Sequence, residues 1–207
     1  MSERWDRRSL VQLAVTVALL AAVLSGFARF VAWVEQRPGA VLADPILARL
    51  APRDLTWATF TLIYAGIVAG VASLARRPER LLAGAQGYAA MVMLRAAAMW
   101  LVPLDPPPGM IPLQDPFVRL LGPGQLLTRD LFFSGHTASL FIVFLAAPSR
   151  RLKALFLASA AGVAGCVLVQ HVHYAIDVLA APPFAYAGWR IALVARARLG
   201  LPEIRSP

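Results

Sequence analysis

The three histidines of this 207-residue chain fall in two short segments, Ser134-Gly135-His136-Thr137 and His171-Val172-His173-Tyr174-Ala175-Ile176-Asp177. His173 and Asp177 are four residues apart, which on a helix places them on one face with Cβ atoms about 5–6 Å apart. Asp177 then accepts a hydrogen bond from one imidazole nitrogen, fixing the tautomer and leaving the other nitrogen to attack or to take a proton. A buried His–Asp pair that only ties two helices together is the alternative. His136 adds a second proton carrier. Gly135 before it lets a phosphate approach the backbone, and Ser134 and Thr137 offer hydroxyls near a helix start, where anions bind well. An ordinary Ser/Thr helix cap explains the same stretch without function.

Arg95 stands among Met91, Met93, Ala96, Ala97 and Met99. It either snorkels to an interface or faces inward, where its fork binds a phosphate at two points and offsets charge in a transition state. Asp130 is a supporting group or a helix cap, and His171 and Tyr174 are candidates to support the site from behind. Three histidines and an aspartate also raise a metal site, but on a helix His171 and His173 diverge by about 200°, a poor arrangement for joint ligation. No cofactor or metal is expected.

The elements that must position these residues are membrane helices. Hydrophobic residues make up 59% of the chain and its mean hydropathy is +0.65, too apolar for an ordinary soluble domain. A span needs about 20 mainly apolar residues, and six are predicted, near 10–33, 55–75, 81–103, 131–147, 154–172 and 174–195. The expected fold is therefore an all-α, six-span bundle forming a single membrane domain over residues 1–207. The first apolar run reads as a retained helix and not a removed signal peptide.

The net charge of +9 is arranged as topology signals and not as a nucleic-acid surface. Arg4, Arg7, Arg8, Arg76, Arg77, Arg80, Arg150, Arg151, Lys153, Arg196, Arg198 and Arg205 are 12 of the 20 Lys and Arg residues, and six spans place all of them on one side. Arg37, Arg49, Arg53, Arg119 and Arg129 fall on the other. Both termini are thus expected in the cytoplasm and the histidines at the outer ends of the spans. The connection from Pro103 to Pro123 carries seven prolines and reads as a stiff, irregular cover over the outer mouth. Cys166, the only cysteine, lies in an apolar run, so neither a disulfide framework nor a thiolate cluster is indicated.

Ser134-Gly135-His136 and His173-x-x-x-Asp177 resemble the second and third signatures of the type 2 phosphatidic acid phosphatase (PAP2) superfamily. Asp130-Leu131-Phe132-Phe133-Ser134-Gly135-His136-Thr137 is similar to D-Y-L-Y-S-G-H-T of its sphingomyelin synthase branch. His171 to Val178 is similar to that branch's H-D-H-Y-T-V-D-V, and Arg95 through Met110 to its R-x-x-T-M…P-V-P-G-M stretch. The likeness spans roughly residues 60–195. It implies His173 as a nucleophile that forms a phosphohistidine, Asp177 as its orienter, and His136 as the group that protonates the departing alcohol and deprotonates the acceptor. The wider superfamily's first signature is missing, so phosphate binding rests on Arg95, Ser134, Gly135 and Thr137; Val172 stands where the synthase branch has aspartate. The expected activity is transfer of a phospho-headgroup between phospholipid or sphingolipid substrates. Hydrolysis with water as acceptor is the alternative, and a silent lipid-binding or transport protein a further one.

Overall fold

The computed structural model describes residues 5–115, 127–202 and 204. Among these, six α-helices follow one another: α1 (Arg7–Val34), α2 (Thr56–Leu74), α3 (Pro78–Leu101), α4 (Gly135–Ala146), α5 (Arg150–Val169) and α6 (Ala175–Arg198). Local chemistry sets several of their starts. Asp6 accepts from the Ser9 amide at 2.7 Å to open α1, Pro78 opens α3 where its missing N–H removes no helix bond, and Ser149 accepts from the Leu152 amide to open α5. The only β feature among the described residues is one isolated bridge, Ala40 to Leu104.

All helices except α4 are long and apolar enough to cross a membrane. The predicted fourth span, 131–147, is helical only over 12 residues, about 18 Å. Ser134 caps it at one end and the chain leaves it at Ala147-Pro148 at the other. Leu131, Phe133 and Ser134 of its irregular approach are buried, and α4 packs against α2, α3, α5 and α6. Non-helical backbone is tolerated at membrane depth where protein surrounds it. The predicted fifth span also ends early, at Val169, and residues 170–174 form a turn before α6. Leu10, Val15, Val17, Leu19, Val68, Val71, Leu155 and Leu179 are exposed, a surface suited to lipid and unsuited to water.

The broadest helix contact joins α3 to α6, and it is close because two glycines meet there. A Cβ added at Gly188 would lie 2.8 Å from the Gly87 carbonyl oxygen and 2.8 Å from the Met91 nitrogen. The basic clusters gather at one end of the bundle. There Trp5 donates to the Ala75 carbonyl, Arg8 to that of Gly200, and Arg80 to those of Ala146 and Ala147. Arg196 of α6 pairs with Glu79 and donates to Gln86, which donates to Thr16 of α1. Arg4, Arg205, Arg119 and the 116–123 part of the proline-rich connection lie outside the described residues.

Candidate active site

At the opposite end, α4 begins beside α6. Ser134 is the N-cap of α4: its hydroxyl accepts from the Thr137 amide at 3.3 Å and from the Thr137 hydroxyl at 3.2 Å, and both residues are buried. Their side chains are therefore committed to each other, as a helix cap requires. Gly135 has a different neighbour from the one its sequence context suggests. A Cβ there would meet the Arg95 guanidinium, 2.6 Å from Nη1 and 2.8 Å from Cζ. The missing side chain makes room for arginine, so Arg95 faces inward. Its Nε donates to the Phe133 carbonyl at 3.1 Å, and its Nη2 to the Asp130 carbonyl at 3.1 Å and lies 2.8 Å from the Asp130 carboxylate. Asp130 thus holds Arg95 and caps no helix.

The His173–Asp177 pair forms, but not on a helix face. α6 starts at Ala175, so His173 precedes the helix and Asp177 stands in its first turn. Asp177 Oδ2 accepts from the Tyr174 amide at 3.1 Å and lies 3.2 Å from His173 Nδ1. One carboxylate closes the helix end and orients the imidazole. The Ser134 amide donates to the Asp177 carbonyl at 3.0 Å, which joins the two histidine segments through the backbone.

His136 and His173 consequently lie side by side, edge-on, with ring centroids 6.1 Å apart. The Nδ1 of His136 and the Nε2 of His173 are both buried with no hydrogen-bond partner. Buried polar atoms are rarely left so. Phe60 of α2 packs edge-on against His136 at 6.1 Å. His171 points elsewhere: its backbone is left-handed (φ 55°) and both ring nitrogens face carbonyl oxygens of the connections. Among the described residues, no three His, Cys, Asp or Glu side chains are grouped closely enough to hold an ion.

A cavity of about 250 Å³ leads to this point. It is lined by polar Arg95, Asp130, His136, Tyr64 and Asp115, by Gly135, and by apolar residues that include Leu24, Phe27, Ile67 and Met91. His173 is not on its wall. The Tyr64 hydroxyl donates to Asp115 at 2.5 Å, linking α2 to the proline-rich connection. Neither residue stands out in a single sequence: Tyr64 reads as a span aromatic and Asp115 as one more loop carboxylate.

Two further residues escaped the sequence reading. Gln170 accepts from the Leu55 amide and donates to the Thr56 hydroxyl and the Ile111 carbonyl. Asp44 accepts from the amides of Ala175 (2.6 Å), Ile46 (2.9 Å) and Leu47 (3.1 Å). Burial pushes the Asp44 carboxyl up, but the amides of Ala175, Leu47 and Ile46 together outweigh it and hold the group below its ordinary range. Its Asp-Pro sequence signals a turn, yet nothing local signals the contact to α6. The electrostatic consequence concerns both helix starts. That of α6 is already met by two carboxylates, whereas that of α4 is capped by neutral Ser134 with Arg95 beneath it.

The fold thus brings His136, His173, Asp177 and Arg95 together at one helix start. Residues 129–192 match the PAP2 superfamily C-terminal family. The PAP2 match begins at Arg129, one residue before the Arg95 partner Asp130, and takes in Ser134, Gly135, His136, Thr137, His173 and Asp177. It leaves out Arg95 and α1 to α3. No curated protein matches the sequence. The PAP2 match supports a phosphatase- or phosphotransferase-type enzyme acting on lipid phosphates in a membrane setting.

Proposed function

We propose that the protein is a membrane phosphotransferase that moves a phospho-headgroup from one lipid to the hydroxyl of another through a phosphohistidine, in the manner of sphingomyelin synthases. The observation that carries this reading is that the His136 and His173 rings lie 6.1 Å apart, each with a buried ring nitrogen that has no partner. With the Nδ1 proton directed to Asp177, the Nε2 lone pair of His173 attacks phosphorus. The bond from phosphorus to the departing lipid oxygen breaks as His136 gives that oxygen a proton. Neutral His136 then takes the proton of the acceptor hydroxyl, the new oxygen–phosphorus bond forms and His173 is released. Arg95, at the start of α4, offsets the charge on the phosphoryl oxygens.

The cavity supports a lipid as the donor. Its apolar lining includes Leu24 and Phe27 of α1 and Ile67 of α2, two helices that share no broad contact and that carry exposed apolar side chains. Hydrolysis differs only in the second acceptor, so a phosphatase uses the same residues. The positive-inside arrangement puts the termini in the cytoplasm and the site on the outer side. Purified protein supplied with labelled phospholipid, with and without ceramide or diacylglycerol, decides the acceptor by mass spectrometry of the products. A labelled headgroup on the added alcohol supports transfer; its appearance only in water-soluble product supports hydrolysis; no turnover of either kind contradicts both. Activity is expected to survive exhaustive chelation, and restoration by zinc or manganese of activity lost to a chelator would overturn the side-chain mechanism.

A further inference from the structure

The exposed side of α6 carries a charge that its neighbours do not match. Ile176, Leu179, Tyr186 and Val194 recur along it at helical spacing, as a surface in contact with acyl chains requires. Arg190 stands exposed in the same stripe, eight residues before the helix ends at Arg198, which is about 12 Å along the axis. Helical side chains lean toward the helix start, here toward the middle of the bilayer. Arg190 follows this rule, and its Nη1 donates to the Tyr186 hydroxyl at 3.5 Å, a long bond to a neutral group. It takes part in none of the ion pairs among the described residues. An ionisable side chain at such depth calls for a partner of opposite charge.

The chain after α6 builds a space next to this arginine. The Gly200 amide donates to the Ala197 carbonyl and the Leu201 amide to that of Arg196, both at 3.0 Å, around a left-handed Gly200 (φ 61°). This glycine-capped ending reverses the chain, and Arg8 of α1 fastens it by donating to the Gly200 carbonyl. Ile204 then packs against the same apolar core as Leu193. A cavity of about 320 Å³ is lined by Arg190, Leu193, Val194 and Arg196 of α6 and by Leu201 and Pro202 after it. Arg196 is already matched, since it pairs with Glu79 and donates to Gln86. Among the described residues the lining holds no carboxylate, so Arg190 leaves one positive charge in excess beside apolar walls.

We propose that this cavity binds an anionic phospholipid from the leaflet at the basic end of the bundle, with the lipid phosphate on Arg190. A guanidinium bonds a phosphate at two points, and Leu193, Val194 and Leu201 suit the first methylenes of an acyl chain. Basic pockets between membrane helices favour headgroups of net negative charge. A zwitterionic lipid brings an amine that finds no carboxylate on this lining. Arg190 is 15 residues from the start of α6, about 22 Å, so the lipid is out of reach of His136 and His173 and is a bound component and not a substrate. The site is independent of the reaction proposed for those histidines.

Native mass spectrometry of the full protein in detergent, titrated with phosphatidylglycerol and with phosphatidylcholine of the same acyl chains, tests this. One phosphatidylglycerol is expected to bind about fivefold more tightly than phosphatidylcholine, the effect of a single arginine on an anionic lipid. R190Q should bring the first affinity down to the second, whereas R29Q, which removes an exposed arginine from α1, should leave it unchanged. V194W fills the cavity without altering charge and should lose the same lipid, so the test stands even if R190Q fails to fold. Equal affinities for the two lipids in the unaltered protein overturn the proposal, and so does a phosphatidylglycerol affinity that survives R190Q or V194W. A loss in R29Q as large as in R190Q would overturn it in favour of general charge attraction. Displacement of the lipid by inorganic phosphate alone would overturn it in favour of a free-anion site.

Discussion

His136 and His173 differ in what holds their rings. His173 has a carboxylate on one nitrogen, whereas His136 has ring neighbours and no bonded partner at Nδ1. The first arrangement suits a nucleophile of fixed tautomer, the second a group that must alternate between acid and base. Changing His173 or His136 to alanine is therefore expected to lower turnover by about 10²–10⁴-fold, with membrane insertion and thermal unfolding in detergent little altered. Near-normal turnover in either variant removes that residue from the mechanism. Arg95→Lys should also lose activity, because a single ammonium cannot replace a fork that bonds two carbonyls and still faces the site. Asp44 makes a separate prediction about pH. Its carboxyl lies below its ordinary range in the folded protein, so its contribution is present above the unfolded value of about 3.9 and fades as pH falls through the folded value. The difference in Tm between the unaltered protein and Asp44→Asn should be clear at pH 7 and should shrink in acid; a difference that stays constant would show that the charge at α6 is not what matters.

At the scale of elements, α4 explains why residue spacing was informative but misleading in detail. The two histidine segments were legible because polar groups interrupt apolar runs, and such interruptions are rare in spans. Their geometry was not, because helical spacing was assumed through residues 170–174. The chain instead turns there, held by Gln170, His171 and Tyr174 to connections distant in sequence. The same assumption extended the fourth span to residue 131. Gly135 was read as a floor for phosphate, and only the fold reveals Arg95 lying against it. Gly135→Ala should accordingly displace the guanidinium and reduce turnover far more than stability, measured by kcat beside Tm. Gly188→Ala is the opposite case. Its Cβ meets backbone atoms of α3, which cannot swing aside, so a loss of about 1–3 kcal/mol is expected, read as a lower Tm in detergent. An unchanged Tm would show that the α3–α6 contact is looser than described.

For the whole molecule, composition and charge were the most readable features, because the membrane imposes its length and charge rules on any chain. The alternation of basic and non-basic connections anticipated which helix ends meet, and the contacts among Trp5, Ala75, Arg8 and Gly200 place the basic clusters together. In a Cys166→Ser background, a membrane-impermeant thiol reagent should label Ala43→Cys in intact cells and Arg76→Cys only after lysis. The reverse pattern would invert the bundle and turn the site toward the cytoplasm. In the proposed mechanism, topology, helix starts and paired rings converge on covalent chemistry at one atom, the Nε2 of His173. Rapid acid-free quench of the protein with a donor lipid labelled in its phospho-headgroup tests this directly. The account predicts an acid-labile label on His173 that forms and decays at the rate of turnover and is absent from His173→Ala. Turnover with no label on His173, or with the label on another residue, would contradict it.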